Sequence, residues 1–184
     1  MQKETIDISK IGISKIDISK IDISKIDVNT LELMKEASKS SKEYVIPLIS
    51  TDDIISAYDI IEGSESFVCA IDPSLIPNMV ALFHNHPSEI KVTISTQDLV
   101  MFDRFNIPLI IGGKKEIKLF ELKSDNNFKD DLDQLKQIQD KVLENLNLGL
   151  QVDEELRNKF KNSYEKILSN FDIRFIYIEK AKNE

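Results

Sequence analysis

Two stretches of this chain, Met79-Val80-Ala81-Leu82-Phe83 and Ile107-Pro108-Leu109-Ile110-Ile111, are apolar without interruption. A strand with one wet face alternates apolar and polar residues, so an unbroken run of this length fits a strand covered on both sides. Between the two runs, Leu99, Val100, Phe102 and Phe105 fall on one side of a helix that begins near Ser95. Gly112-Gly113 ends the second run. Buried strands separated by a helix belong to the α/β class, here a central mixed β-sheet flanked by helices. With 41% hydrophobic residues in 184, the chain can build one such core.

The remaining elements are placed by the same periodicities. Tyr44–Ile49, Ile54–Ile61 and Ser66–Ile71 read as strands, separated by the polar turns Thr51-Asp52-Asp53 and Glu62-Gly63-Ser64. Pro47 lacks an N–H and suits an edge strand or a bulge. Glu116–Leu122 is a further strand, with Ile117 and Leu119 on one face. After the polar stretch Lys123–Lys129, Leu132, Leu135, Ile138, Val142 and Leu146 recur at helical spacing, and Gly149 breaks the pattern. Leu156, Phe160, Tyr164, Ile167 and Phe171 mark a second helix, and Ile173–Ile178 a final strand. Such a C-terminal helical pair packs against a core or serves a homodimer or partner surface.

Residues 6–30 form five pentapeptides, three of them Ile-Asp-Ile-Ser-Lys. Their isoleucine spacing matches neither the period of a strand nor that of a helix. The units loosely resemble those of pentapeptide-repeat solenoids, but five would barely exceed one coil. A variable extension, extended or disordered and able to pair as a strand, is the plainer reading. Asn29 can cap a helix carrying Leu31, Met34 and Ala37 and ending near Ser41, with Glu32 reaching back to the cap. The chain therefore divides into a repeat extension over 1–29, a central unit over 30–122 and a helical accessory segment over 123–184.

Several classes are disfavoured. No run of 18 apolar residues occurs, so no membrane-spanning helix is expected. The first residues, Met1-Gln2-Lys3-Glu4-Thr5, lack the apolar stretch of a secretory signal. The single cysteine, Cys69, cannot form an internal disulfide, and in Phe67-Val68-Cys69-Ala70-Ile71 it reads as a buried structural thiol. Both features predict a cytoplasmic protein. A net charge of −8 repels phosphate backbones and predicts no nucleic-acid partner.

The only two histidines stand together in His84-Asn85-His86-Pro87, at the end of the first apolar run. Residues i and i+2 of a strand share a face, so both imidazoles can address one ion. Downstream, Ser95-Thr96-Gln97-Asp98 opens the helix, with Ser95 as its cap and Asp98 in its first turn. Two imidazoles and a carboxylate give three ligands and leave a fourth position for water, the open arrangement of catalytic zinc.

His-x-His-Pro followed by Ser-x-x-Asp resembles the signature of the JAMM (MPN+) metallopeptidases, and the order of elements over about residues 30–122 is similar to theirs. The resemblance implies the cytidine-deaminase-like JAB/MPN fold, with zinc held by His84, His86 and Asp98. It implies that Glu43 is the general base and acid and that Ser95 helps stabilise the tetrahedral intermediate. Glu36 competes with Glu43 on sequence alone. Three departures stand out. Eight residues separate His86 from Ser95 where the family usually has seven, so the loop must bulge or Asp98 is displaced. Tyr44-Val45-Ile46-Pro47 stands where a small residue commonly follows the glutamate. The segments around Ser50–Asn78 leave no room for long ubiquitin-gripping insertions.

The function implied is a zinc peptidase or isopeptidase that cleaves an amide bond in a protein or peptide substrate. The C-terminal tail of a ubiquitin-like or sulfur-carrier protein would suit it. The alternative is a catalytically inactive MPN-like scaffold that recruits a partner. His84-Asn85-His86-Pro87-Ser88 is also similar to the corresponding segment of RadC-type bacterial relatives, for which a DNA-directed role would sit badly with the acidic charge.

Overall fold

The computed structural model describes residues 20–63, 75–87, 89–123 and 128–179. The expected strand Ser66–Ile71, with Cys69, lies outside these residues, as does most of the repeat. Within them the chain is α/β. The strands are β1 (Tyr44–Thr51), β2 (Ile54–Ala57), β3 (Ile61–Glu62), β4 (Met79–Asn85), β5 (Leu109–Gly112), β6 (Glu116–Leu122) and β7 (Phe171–Ile178). They form one mixed sheet in the order β2-β1-β4-β5-β6-β7, with β3 also paired to β1. The two continuous apolar runs become β4 and β5, the parallel pair at the centre of the sheet. A parallel pair needs a crossover, and the helix α2 (Thr96–Phe105) supplies it.

Helices cover both faces, which is why β4 and β5 need no polar alternation. On one face α1 (Val28–Lys39) buries Met34 and Ala37 against Ile46, Phe83, Ile110 and Leu119. On the other, Leu99 and Phe102 of α2 pack with Leu82 and Ile111. The helical pair α3 (Lys129–Asn147) and α4 (Glu154–Leu168) joins that same cluster through Leu132, Leu135 and Ile167. The closest approach of α1 to the sheet is at Gly112. A Cβ there would meet Ser38 Oγ at 2.1 Å and the Phe83 ring at 2.9 Å.

Four sequence expectations are corrected. Of the two settings expected for Pro47, the edge strand is excluded, because β1 lies between β2 and β4, whereas the bulge has a counterpart close by. The missing N–H is tolerated because β2 stops opposite it. Tyr58 N–H donates to Pro47 O at 2.9 Å, Pro47 can return no bond, and the partner strand lapses from Tyr58 until Ile61. An irregularity in the β1–β4 register follows at Leu48/Ile49. Second, α1 is capped by Asp27 rather than Asn29. Asp27 Oδ1 accepts from the N–H groups of Asn29 and Thr30 at 2.9 and 3.0 Å, and its other oxygen accepts from Thr30 Oγ1. Third, the run Ile54–Ile61 splits into β2 and β3 for the reason given at Pro47. Fourth, Phe171 opens β7 instead of closing α4, since the Ser169-Asn170 turn ends the helix first.

The end of the repeat is built into the fold. Residues 23–25 make a single 3₁₀ turn, and Ile26 bridges to Ile55. Among the described residues no helix is long and apolar enough to cross a membrane.

Candidate metal centre

The site stands where the parallel pair β4–β5 ends, at the C-terminal end of both strands. His84 is paired with Val45 on one side and Ile111 on the other. Strand alternation turns it, like Leu82 two residues earlier, toward the face that α2 covers. His86 follows just beyond β4, and its N–H is fixed by the carbonyl of Gly112 at 2.8 Å. Asp98 comes from the first turn of α2. A capping box holds that turn. Ser95 Oγ accepts from Asp98 N–H at 3.1 Å, and Asp98 Oδ2 accepts from Ser95 N–H at 2.6 Å.

These elements bring the three side chains together. His84 Nε2 and His86 Nε2 are 3.1 Å apart, with the rings stacked at 5.0 Å between centroids. Asp98 Oδ1 is 3.1 Å from His84 Nε2, and Asp98 Oδ2 is 3.4 Å from His86 Nε2. Bonds of about 2.0–2.1 Å to a tetrahedral ion place neighbouring ligand atoms roughly 3.3–3.4 Å apart. The two imidazole nitrogens and the nearer carboxylate oxygen of each contact are at separations of this order, and one ligand atom from each residue lies within 4.8 Å of the others. The group is thus able to hold a metal ion. The eight residues between His86 and Ser95 leave Asp98 against both histidines.

The electrostatics of the group are those of a coupled acid and base. Burial would raise the Asp98 carboxyl, but His84 and then His86 outweigh it and hold it well below the usual carboxylate range. Burial would lower the His86 ring, yet Asp98 first and Glu89 second outweigh it and raise it to about 9. Without an ion, then, His86 keeps a proton at neutral pH as the partner of Asp98.

Three residues near the centre were not singled out from the sequence. Asn85, between the histidines, points away from the ion-holding face and is buried. Its Nδ2 donates to Lys42 O at 2.9 Å and its Oδ1 accepts from Tyr44 N–H at 2.6 Å. It therefore pins the peptide segment on either side of Glu43. Alternation along His84-Asn85-His86 could have signalled a buried polar side chain on the opposite face. Glu89 Oε2 lies 3.2 Å from His86 Nδ1, while no acceptor is in line with that buried nitrogen. Glu89 also accepts from Thr93 N–H at 3.1 Å, and its carbonyl accepts from Lys114 N–H at 2.9 Å. Those bonds tie Glu89 to Thr93 and Lys114. Tyr164 of α4 donates its hydroxyl to Ile94 O at 2.5 Å, next to the Ser95 cap. Burial, then the charges of Asp98 and Glu89, push that phenol up to about 12. No local pattern marks Glu89 or Tyr164, since both act across long separations or through loop shape.

Glu43 is half-buried and lies immediately before β1, two residues from the Val45 that pairs with His84. Its carbonyl accepts from Gly63 N–H at 2.8 Å. Glu36, the competitor, is exposed on α1, and α1 covers the opposite face of the sheet. No family model matches this chain, and no curated protein matches it.

Proposed function

We propose that the protein is a zinc-dependent peptidase or isopeptidase of the JAMM type, acting on an amide bond in an extended protein segment. The observation that carries this reading is the convergence of His84, His86 and Asp98, one ligand atom of each within 4.8 Å of the others, on the rim of a sheet. Two imidazoles and one carboxylate are a donor set suited to zinc. Bound there, zinc would supply a water acidified toward neutrality and a Lewis acid for the substrate carbonyl. Glu43, at the same strand end, would serve as general base toward the attacking water and as general acid toward the departing amine. Ser95 Oγ accepts from Asp98 N–H, which leaves its own hydrogen free to donate to the developing oxyanion. Asn85 holds the Glu43 segment in place. The tail of a ubiquitin-like or sulfur-carrier protein is the substrate class this reading favours, in a cytoplasmic setting.

A second reading is an inactive scaffold. The ion pairs from Asp98 to both histidines balance its charge without any metal and favour this reading. Metal analysis of the purified protein separates the two, near-stoichiometric zinc supporting the enzyme and none after zinc supplementation supporting the scaffold. The enzyme reading is tested by incubating the protein with ubiquitin-like fusions, with and without a chelator, and reading cleavage by mass spectrometry. Glu43→Ala should lower cleavage at least about 10²-fold, as loss of an acid–base group does, while zinc content stays unchanged. Undiminished cleavage in that variant would remove Glu43 from its role.

A further inference from the structure

Ile21 is held in a manner unlike an ordinary terminal extension. Its N–H donates to Glu121 Oε1 at 2.7 Å, and its carbonyl accepts from Arg174 Nη2 at 2.7 Å. Arg174 also pairs with Glu121 Oε2, so one buried carboxylate and one guanidinium grip a single residue's backbone from both sides. The Ile21 side chain is buried with Ile46, Ile117 and Leu119. The rest of the unit is read as well. Asp22 Oδ1 accepts from Ser24 N–H at 3.0 Å and from Ser24 Oγ at 2.7 Å, setting the 3₁₀ turn. Lys25 Nζ lies 3.1 Å from Asp53.

Each feature gripped is a property of the unit, not of its position. Main-chain N–H and C=O, an isoleucine, an Asp-x-Ser turn and a lysine recur without change in Ile16-Asp17-Ile18-Ser19-Lys20 and in Ile6-Asp7-Ile8-Ser9-Lys10. The Ile11–Lys15 copy has Gly12 in place of the aspartate and so lacks the turn's acceptor. Moving an upstream copy into the grip requires only that intervening residues loop out, and loop closure grows slowly in cost with length. The copy next to the docked one also starts beside the site, since Lys20 Nζ is 3.4 Å from Asp172 on β7.

We propose that Glu121 and Arg174 form a register-tolerant binding site for the Ile-Asp-Ile-Ser-Lys unit, which upstream copies of the same chain can fill, Ile16–Lys20 first. The array is then a set of spare straps for one clamp on β6 and β7. This holds whether or not the metal centre is catalytic.

The test uses the full chain with Ile21→Asp, which would bury a carboxylate among Ile46, Ile117 and Leu119 and so evicts the resident unit. Ile16 N–H should become protected from hydrogen exchange in this variant and stay unprotected in the parent, with Tm falling by less than half the drop seen in Ile6→Asp/Ile11→Asp/Ile16→Asp/Ile21→Asp. Glu121→Gln added to Ile21→Asp should lower the protection at Ile16. The proposal is overturned if Ile16 stays unprotected, or if Ile21→Asp alone fails to fold or loses as much Tm as the fourfold variant. Protection that appears only with rising protein concentration, together with dimers in sedimentation, assigns the strap to a second copy and likewise overturns it.

Discussion

At the scale of single residues, the centre is governed by one proton. In the metal-free protein the His86 ring is raised to about 9 from an ordinary 6.5, chiefly because Asp98 and Glu89 overcome the opposing effect of burial. A metal ion must displace that proton, so its affinity should rise with pH by up to about tenfold per unit until about pH 9. Calorimetric zinc titrations in buffers of different ionisation enthalpy will show the proton release directly. The same shift links to folding. A group whose folded pKa is raised stabilises fully below its unfolded value, and the contribution is lost as pH rises through the folded one. The Tm of the metal-free protein should therefore decline between about pH 6.5 and 9, and that of the zinc-loaded protein should not. Asn85 belongs to this scale too. Asn85→Ala frees the Lys42–Tyr44 backbone around Glu43, so cleavage should fall by about 10²-fold through misplacement alone. Zinc content of the same variant should stay near the parent's, and a parallel loss of zinc would show that Asn85 shapes the ligand set instead.

Among the elements, the contact of α1 with the end of β5 leaves no room for a side chain at Gly112. Gly112 faces Ser38 Oγ and the Phe83 ring, and its carbonyl orients His86. Gly112→Ala should destabilise the fold by about 1–3 kcal/mol, the usual range for overpacking, as read by urea denaturation. Ser38→Gly added to it should recover part of the loss, because the nearest clashing atom is then gone. At the other side of the centre, α2 owes its start to Ser95 and Asp98, which cap the helix as well as framing the site. The two roles are compatible because a carboxylate has several lone pairs and a hydroxyl is both donor and acceptor.

For the molecule as a whole, the C-terminal segment completes the core. Phe128, Leu132, Leu135, Ile167 and Phe171 share a cluster with Leu82, Leu99 and Phe120, and β7 runs along the full length of β6. A chain ended at Leu122 would expose that cluster and the β6 edge. It should aggregate or fail to give a cooperative thermal transition, whereas an independent unit would melt cooperatively. Of the segment's large apolar residues, Leu143, Leu146, Leu148 and Leu150 at the far tip of the helical pair and Ile173, Phe175 and Ile178 on β7 remain exposed.

Much of this was legible in the residues. Continuous apolar runs specified two strands buried on both faces, helical stripes specified α2, α3 and α4, and a two-residue spacing put both imidazoles on one face. These are local properties, fixed by the periods of strand and helix. The cap of α1 was misplaced by two residues because Asp27 and Asn29 are equally able to cap, and packing chose between them. The edge-strand setting of Pro47 was misjudged because an isolated strand does not reveal whether its neighbour stops. The parallel pairing of β4 with β5, the closing of Asp98 onto the histidines and the reach of Tyr164 to the loop depend on residues far apart in the chain. So does the grip of Glu121 and Arg174 on Ile21, for which a repeat of identical units gives no preferred register. Only the burial of distant groups against one another, with their hydrogen bonds satisfied together, decides such contacts.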